Sequence, residues 1–207
     1  MTLVFDFQSW RDPKGYRLEE NTGRILRMGR GRNKKDFDLY NPLEKVPDLY
    51  LIFARQCTKH DGVVDFVNRF GPLTVSGLDP YHCDVVKLVV ENAASMHRVL
   101  KFIADDRKLP DLGPKPLQFK RSIPFRGILV WDPALKTLKW KISPDTLLDG
   151  IWFQLEQALT RRARIRVCGH CGTWFEAGRG TDRRADAKFC SDEHKIAFHS
   201  LNRSREK

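Results

Sequence analysis

Four residues near the C-terminus have types and spacings that do chemistry. They are Cys168, Cys171, Cys190 and His194, within the stretch CGHCGTWFEAGRGTDRRADAKFCSDEH. A Cys-x-x-Cys turn aims two sulfurs at one centre, and zinc takes four thiolate or imidazole ligands in a tetrahedron. Cys190 and His194 supply the second pair. Ser191 or Asp192 can cap a helix that runs to about residue 203, placing Cys190 before it and His194 in its first turn. His199 is the alternative fourth ligand. His170, inside the knuckle, is expected to point away. The cofactor expected is Zn2+, held by four good donors that close the site. A catalytic zinc keeps one position open for water, so the expectation is a structural ion and no enzyme. The deaminase pattern is absent, as is the Asp-His pair that opens a nuclease motif on such a scaffold. A metal-dependent nuclease is therefore the least favoured reading.

The elements around these residues must bring the two pairs together. TWFEAG reads as one strand, RGTDRRAD as a polar loop, AKFC as a second strand, and the rest as a helix. Knuckle, hairpin and helix N-terminus make a treble clef. Gly172 lets the backbone turn after the second cysteine. Trp174, Phe175, Phe189 and Phe198 are candidates for the core beneath the metal. A module this small needs the ion for much of its folding energy.

Charge points to the class of partner. The chain has 207 residues and a net charge of +11. Residues 161–207 hold 12 Lys or Arg against 6 Asp or Glu, more than half of that excess. Arg164, Arg166, Arg179, Arg183, Arg184, Lys188, Lys195, Asn202 and Arg203 are the candidate nucleic-acid contacts, with double-stranded DNA as the partner. Arg161 and Arg162 close the preceding helix. A second basic run, RILRMGRGRNKK from Arg24, reads as solvated surface. The alternative function is a protein-interaction module whose zinc finger braces a docking surface. With five cysteines, an odd number clustered late, a secreted disulfide framework is not expected. No apolar run is long enough to span a bilayer. No secretory signal is read at the start, and a cytoplasmic protein without membrane contact is the expectation.

Upstream, residues 1–160 read as a mainly helical α+β domain. LVFDF is a first strand. Pro47 and Asp48 open a helix, and DGVVDFVNRFGPL is another, capped by Asp61 and stopped by Gly71. Residues 79–108 carry the longest helical stripe, with Val86, Val89, Ala93, Met96 and Leu100 at spacings of three and four. Four prolines in residues 109–125 make a connector. RGILVWDPALKTLKWKI is a β-hairpin turning at Asp132-Pro133. SPDTLLDGIWFQLEQAL is a helix with Ser143 as its cap. Cys57 and Cys83 read as buried thiols, and His82 beside Cys83 in YHCD is no catalytic pair.

The motif CGHCGTWFEAG…RRADAKFCSDEHK resembles the C-terminal finger of a bacterial group with a CxxCGxWFE knuckle followed by ARFCSxxCR. It is similar also to the CGNR-type finger of proteins with an N-terminal ABATE domain. VVDFVNRFGPLT and LLDGIWFQLEQAL resemble helices of that group. His194 stands where the group has its fourth cysteine, and the CGNR tetrapeptide itself is missing. The resemblance implies an ABATE-like domain over residues 1–160, a treble-clef finger over 161–207, and a transcription regulator whose finger binds DNA.

Overall fold

The computed structural model describes residues 4–5, 7–29, 34–75, 84–104, 125–134, 136–178 and 180–205. The chain is α+β. In order it holds strands β1 (Val4–Phe5), β2 (Ser9–Arg11), β3 (Tyr16–Glu19) and β4 (Arg24–Arg27), then β5 (Asp38–Tyr40). Helices α1 (Pro42–Lys45), α2 (Leu49–Gln56), α3 (His60–Phe70) and α4 (Val86–Ala104) follow. The hairpin β6 (Phe125–Asp132) and β7 (Thr137–Pro144) leads to α5 (Leu147–Thr160). The last elements are β8 (Arg164–Val167), β9 (Trp174–Ala177) and α6 (Asp192–Arg205). The chain forms two compact units, Met1–Ser95 with Lys120–Glu156, and Met96–Phe119 with Gln157–Lys207.

The core of the first unit is aromatic. Tyr50, Phe53, Phe66, Leu73, Leu147 and Ile151 are fully buried. Phe53 meets Phe66 edge to face at 5.6 Å between ring centroids, and Phe66 tilts against Phe70 at 4.7 Å. α3 is tied to the hairpin of β3 and β4 by one side-chain amide. Asn68 accepts from the Tyr16 N–H at 2.7 Å and donates to the Tyr16 carbonyl at 3.1 Å. It thus copies the exchange that a neighbouring strand would make. Gly71 ends α3 at φ +86°, a left-handed conformation that other residues adopt at a cost.

The hairpin of β6 and β7 lies where the pattern puts it, and β1, Val4–Phe5 within the expected LVFDF, runs parallel beside β7; Leu3 and Asp6 lie outside the described residues. Three boundaries differ. α3 begins at His60, so Asp61 lies inside the first turn and is not the cap. The long helix begins at Val86, because Asp84 has another task; residues 79–83 and 105–108 lie outside the described residues. α5 begins at Leu147, and Ser143 and Pro144 finish β7. Thr146 is the functional cap: its hydroxyl accepts from the Asp149 N–H at 3.1 Å and donates to the Asp149 carboxylate at 2.5 Å. That reciprocal pair satisfies the start of the helix better than Ser143 could three residues earlier.

Part of the Arg24 run is structural. Arg27 pairs with the buried Asp12 at 3.2 Å and lies 4.7 Å over the Phe37 ring. Residues 30–33 of that run, the connector at 109–124 and Cys83 lie outside the described residues. Cys57 is fully buried, and burial pushes its thiol up, as for an inert core cysteine.

Asp84 organises the turn after α3. One carboxylate oxygen accepts from the Leu73 N–H at 2.8 Å; the other accepts from the Thr74 N–H and hydroxyl, both at 2.7 Å. Burial pushes this carboxyl up, and those three donors oppose the shift. Asp84→Ala strands two backbone donors, one of them buried. The expected loss is about 3 kcal/mol of unfolding free energy in urea titration, with metal content per chain unchanged.

Candidate metal centre

β8 and β9 form an antiparallel ladder, with Val167 opposite Trp174 and Arg164 opposite Ala177. The knuckle, residues 168–173, is the turn that joins them. Two bonds close it: the Cys168 N–H donates to the Thr173 carbonyl and the Gly172 N–H to the Cys168 carbonyl, both at 2.9 Å. Gly172 takes φ +68°, the conformation its place after the second cysteine requires. The second strand expected over AKFC is not there, since residues 187–190 are irregular. β9 pairs backward with β8. RIRV offers the right alternation, and the knuckle is a ready-made turn, so the local hairpin forms first in sequence.

α6 starts as the sequence indicates. The Ser191 hydroxyl accepts from the His194 N–H at 3.3 Å and caps the helix, which leaves Cys190 just outside and His194 in the first turn. The donor atoms of Cys168, Cys171, Cys190 and His194 all lie within 4.8 Å of one another. Cys171 Sγ and Cys190 Sγ are 3.7 Å apart. A tetrahedron of bonds near 2.3 Å has edges of about 3.7 Å, so this pair is already at coordination spacing. His194 turns Nδ1 inward, 2.8 Å from Cys190 Sγ and 3.9 Å from Cys168 Sγ. Three soft sulfurs and one imidazole nitrogen suit a metal ion and are compatible with zinc.

The surroundings of the thiols are unequal. Burial raises the Cys168 thiol, but N–H groups of Cys171, Cys190 and His170 outweigh it and pull it down to about 6. Burial and hydrogen bonding to Cys168 and Cys171 push Cys190 up to about 11. Cys168 Sγ also receives the Cys190 N–H at 3.4 Å.

The other histidines are placed apart from the donor set. His170 lies over the His194 ring at 5.0 Å between centroids, closer than the outward position expected of it. His199 meets Phe189 and Phe198 edge to face, and His194 is the histidine that clusters with the three cysteines. The apolar base is small. Cys168, Phe175 and Ala177 are buried, with Ala187, Phe189 and Cys190 packed against them. Phe198 joins through Phe189 at 5.2 Å. Trp174 turns elsewhere and stacks on His97 of α4 at 4.5 Å.

The basic candidates divide into two kinds. Arg183 donates to the Cys190 carbonyl at 2.7 Å and sits 5.7 Å over the Phe175 ring. Arg166 donates to the Ala185 carbonyl at 3.0 Å. Both brace the loop around the centre. Arg161 pairs with the buried Glu176, so the acid that follows the knuckle is neutralised within its own unit. Arg164, Arg184, Lys188, Lys195 and Arg203 are exposed. Arg184 makes a solvated 3.8 Å contact with Asp186. Arg179 and the side chain of Asn202 lie outside the described residues. The roles of Arg183, Arg166 and Thr173, whose hydroxyl is 3.0 Å from Cys171 Sγ, carry no signal in the sequence beyond proximity to the ligands.

No family model, curated protein or solved structure matches this chain. Among the described residues no helix is long and apolar enough to cross a membrane.

Metal analysis of the purified chain is expected to find about one ion per molecule at full loading. His194→Ala is expected to weaken that binding at least about a hundredfold, one donor's share of a four-ligand site, measured by competition with a chelator. His199→Ala is expected to leave it unchanged.

Proposed function

We propose that this protein holds a structural zinc ion in a treble-clef finger and uses the surface fixed by that ion to bind nucleic acid, as a DNA-binding regulator. The observation that carries the reading is the exposed set Arg164, Arg184, Lys188, Lys195 and Arg203 within the unit that contains the centre. Cations free to reach solvent neutralise phosphates and release counterions, which supplies affinity with little sequence reading. Four donors leave no coordination position for substrate water, which supports a structural and non-catalytic ion. The knuckle, the backward-paired hairpin and the ligand-bearing helix start support the treble-clef description. The sequence likeness of the finger supports membership of the ABATE/CGNR group.

A second reading rests on its own observation. Val167, Ile196 and Leu201 of the same unit are exposed, Ile196 to 69%. Apolar side chains in contact with water on so small a module favour a protein partner for that surface.

Fluorescence anisotropy of the zinc-loaded chain with a labelled random duplex separates the two. Nucleic-acid binding predicts a logarithmic affinity that falls linearly with the logarithm of salt concentration. Lys188→Ala, Lys195→Ala and Arg203→Ala should each lower the steepness of that line by about one. Arg183→Ala should instead lower metal affinity. Absence of duplex binding at low salt, by protein shown to hold its ion, would set the protein-partner reading in its place.

A further inference from the structure

The three-stranded sheet runs in the order β1-β7-β6, so β6 is an edge strand among the described residues. Its eight residues, FRGILVWD, contain no lysine and no proline. Those are the usual guards of a free edge, along with shortness and bulges, and β6 is paired with β7 along its whole length without a bulge. Leu129 and Trp131 on this strand are 51% and 57% exposed, and Leu138 of β7 is 58% exposed. Trp131 is directly opposite Leu138, and Leu129 lies two residues along on the same face. A row of open backbone groups therefore borders an apolar face that water covers.

The sequence of this edge is complementary to itself. Consider a second copy laid antiparallel against β6 with a two-fold axis through Leu129. Arg126 then falls opposite Asp132 of the second copy, and Ile128 opposite Val130. Leu129 meets Leu129. Trp131 falls opposite Gly127, where the missing side chain leaves room for an indole over the backbone, an arrangement known to stabilise strand glycines. By symmetry each unlike pair occurs twice. Moving the axis by one residue destroys the match. Centred on Ile128, Arg126 faces Val130; centred on Val130, it faces Ala134, beyond the strand. Arg126 at present touches Asp145 at 3.4 Å with most of its side chain in water, a contact that a closer carboxylate can displace.

We propose that this protein self-associates through β6, two copies pairing antiparallel about Leu129 to join their sheets into one of six strands. The occupant of the edge is a second copy, because the charge order, the glycine opposite the tryptophan and the apolar centre all match the strand's own sequence. An unrelated extended peptide would have no reason to match all three. The proposal does not depend on the metal centre or on nucleic-acid binding.

The test is sedimentation velocity of the full, metal-loaded chain over about 1 to 100 µM, the range that brackets a micromolar dimer. A concentration-dependent dimer is expected. Arg126→Asp alone and Asp132→Arg alone put like charges opposite each other twice, and each should weaken the dimer about tenfold or more. The double exchange Arg126→Asp with Asp132→Arg should restore it. Leu129→Cys should cross-link to its own copy under mild oxidation, since residues directly opposite bring their Cβ atoms within about 5 Å. Trp131→Cys, opposite a glycine, should not. Circular dichroism and metal content confirm that each variant is folded, and the cysteine pair decides the matter if a charge variant is not. A chain that stays monomeric at every concentration overturns the proposal. So does a dimer that the double exchange fails to rescue and Leu129→Cys fails to link.

Discussion

Among the described residues, Cys168, Phe175 and Ala177 make up the buried core beneath the candidate centre. So little apolar surface cannot offset the conformational entropy of ordering two strands, a long loop and a helix start. Beside that core Cys168, Cys171, Cys190 and His194 meet within 4.8 Å, close enough to hold a metal ion. Everything else in that region is arranged around this convergence. Gly172 shapes the turn, Ser191 fixes where the helix begins, and Arg183 clamps the carbonyl of the third ligand. A metal ion held by these four donors would add to that core, and Met96, Leu100, Ala158 and Ile165 are buried elsewhere in the same unit.

The first unit solves the same problem by ordinary means. Its aromatic cluster supplies the burial, and a few polar side chains take over backbone duties where regular structure stops. Asn68 completes the edge of β3, Asp84 receives the turn after α3, and Gln154 donates to the carbonyls of Leu43 and Val46 at 3.0 Å each. The bonds of Asn68 and Gln154 tie segments far apart in sequence, and those of Asp84 close a local turn.

That difference explains what could be read from the sequence. Cysteine spacing is a local signal, and Cys168, Cys171, Cys190 and His194 were legible from it together with the start of α6. The β6–β7 hairpin was legible because its alternation lasts eight residues on each arm. The short strands were harder. β3 and β4, four residues each, were masked by their charges, and RIRV looked like basic surface although Ile165 is buried within it. The cap of α5 was misplaced because Ser143 and Thr146 both offer hydroxyls, and only the partner of Thr146, Asp149, decides between them. The bonds of Arg166 and Arg183 to the carbonyls of Ala185 and Cys190 were not legible, because an arginine that reaches a backbone carbonyl has the same letter as one that faces solvent. Such roles depend on which backbone comes near, and one sequence does not state that.

Because the knuckle doubles as the turn of β8 and β9, its length sets which side of the ladder each residue faces. One residue added between Cys168 and Thr173 would slip the register and could turn β8 over, bringing an arginine inward where Ile165 belongs. The chain between Gly178 and Ala187 does not set that register, although Arg183 within it holds the Cys190 carbonyl and Ala185 receives Arg166. Variation in length is therefore open to the loop and closed to the knuckle. The spacing Cys-x-x-Cys thus serves two ends at once, the gathering of the donor set and the register of the sheet.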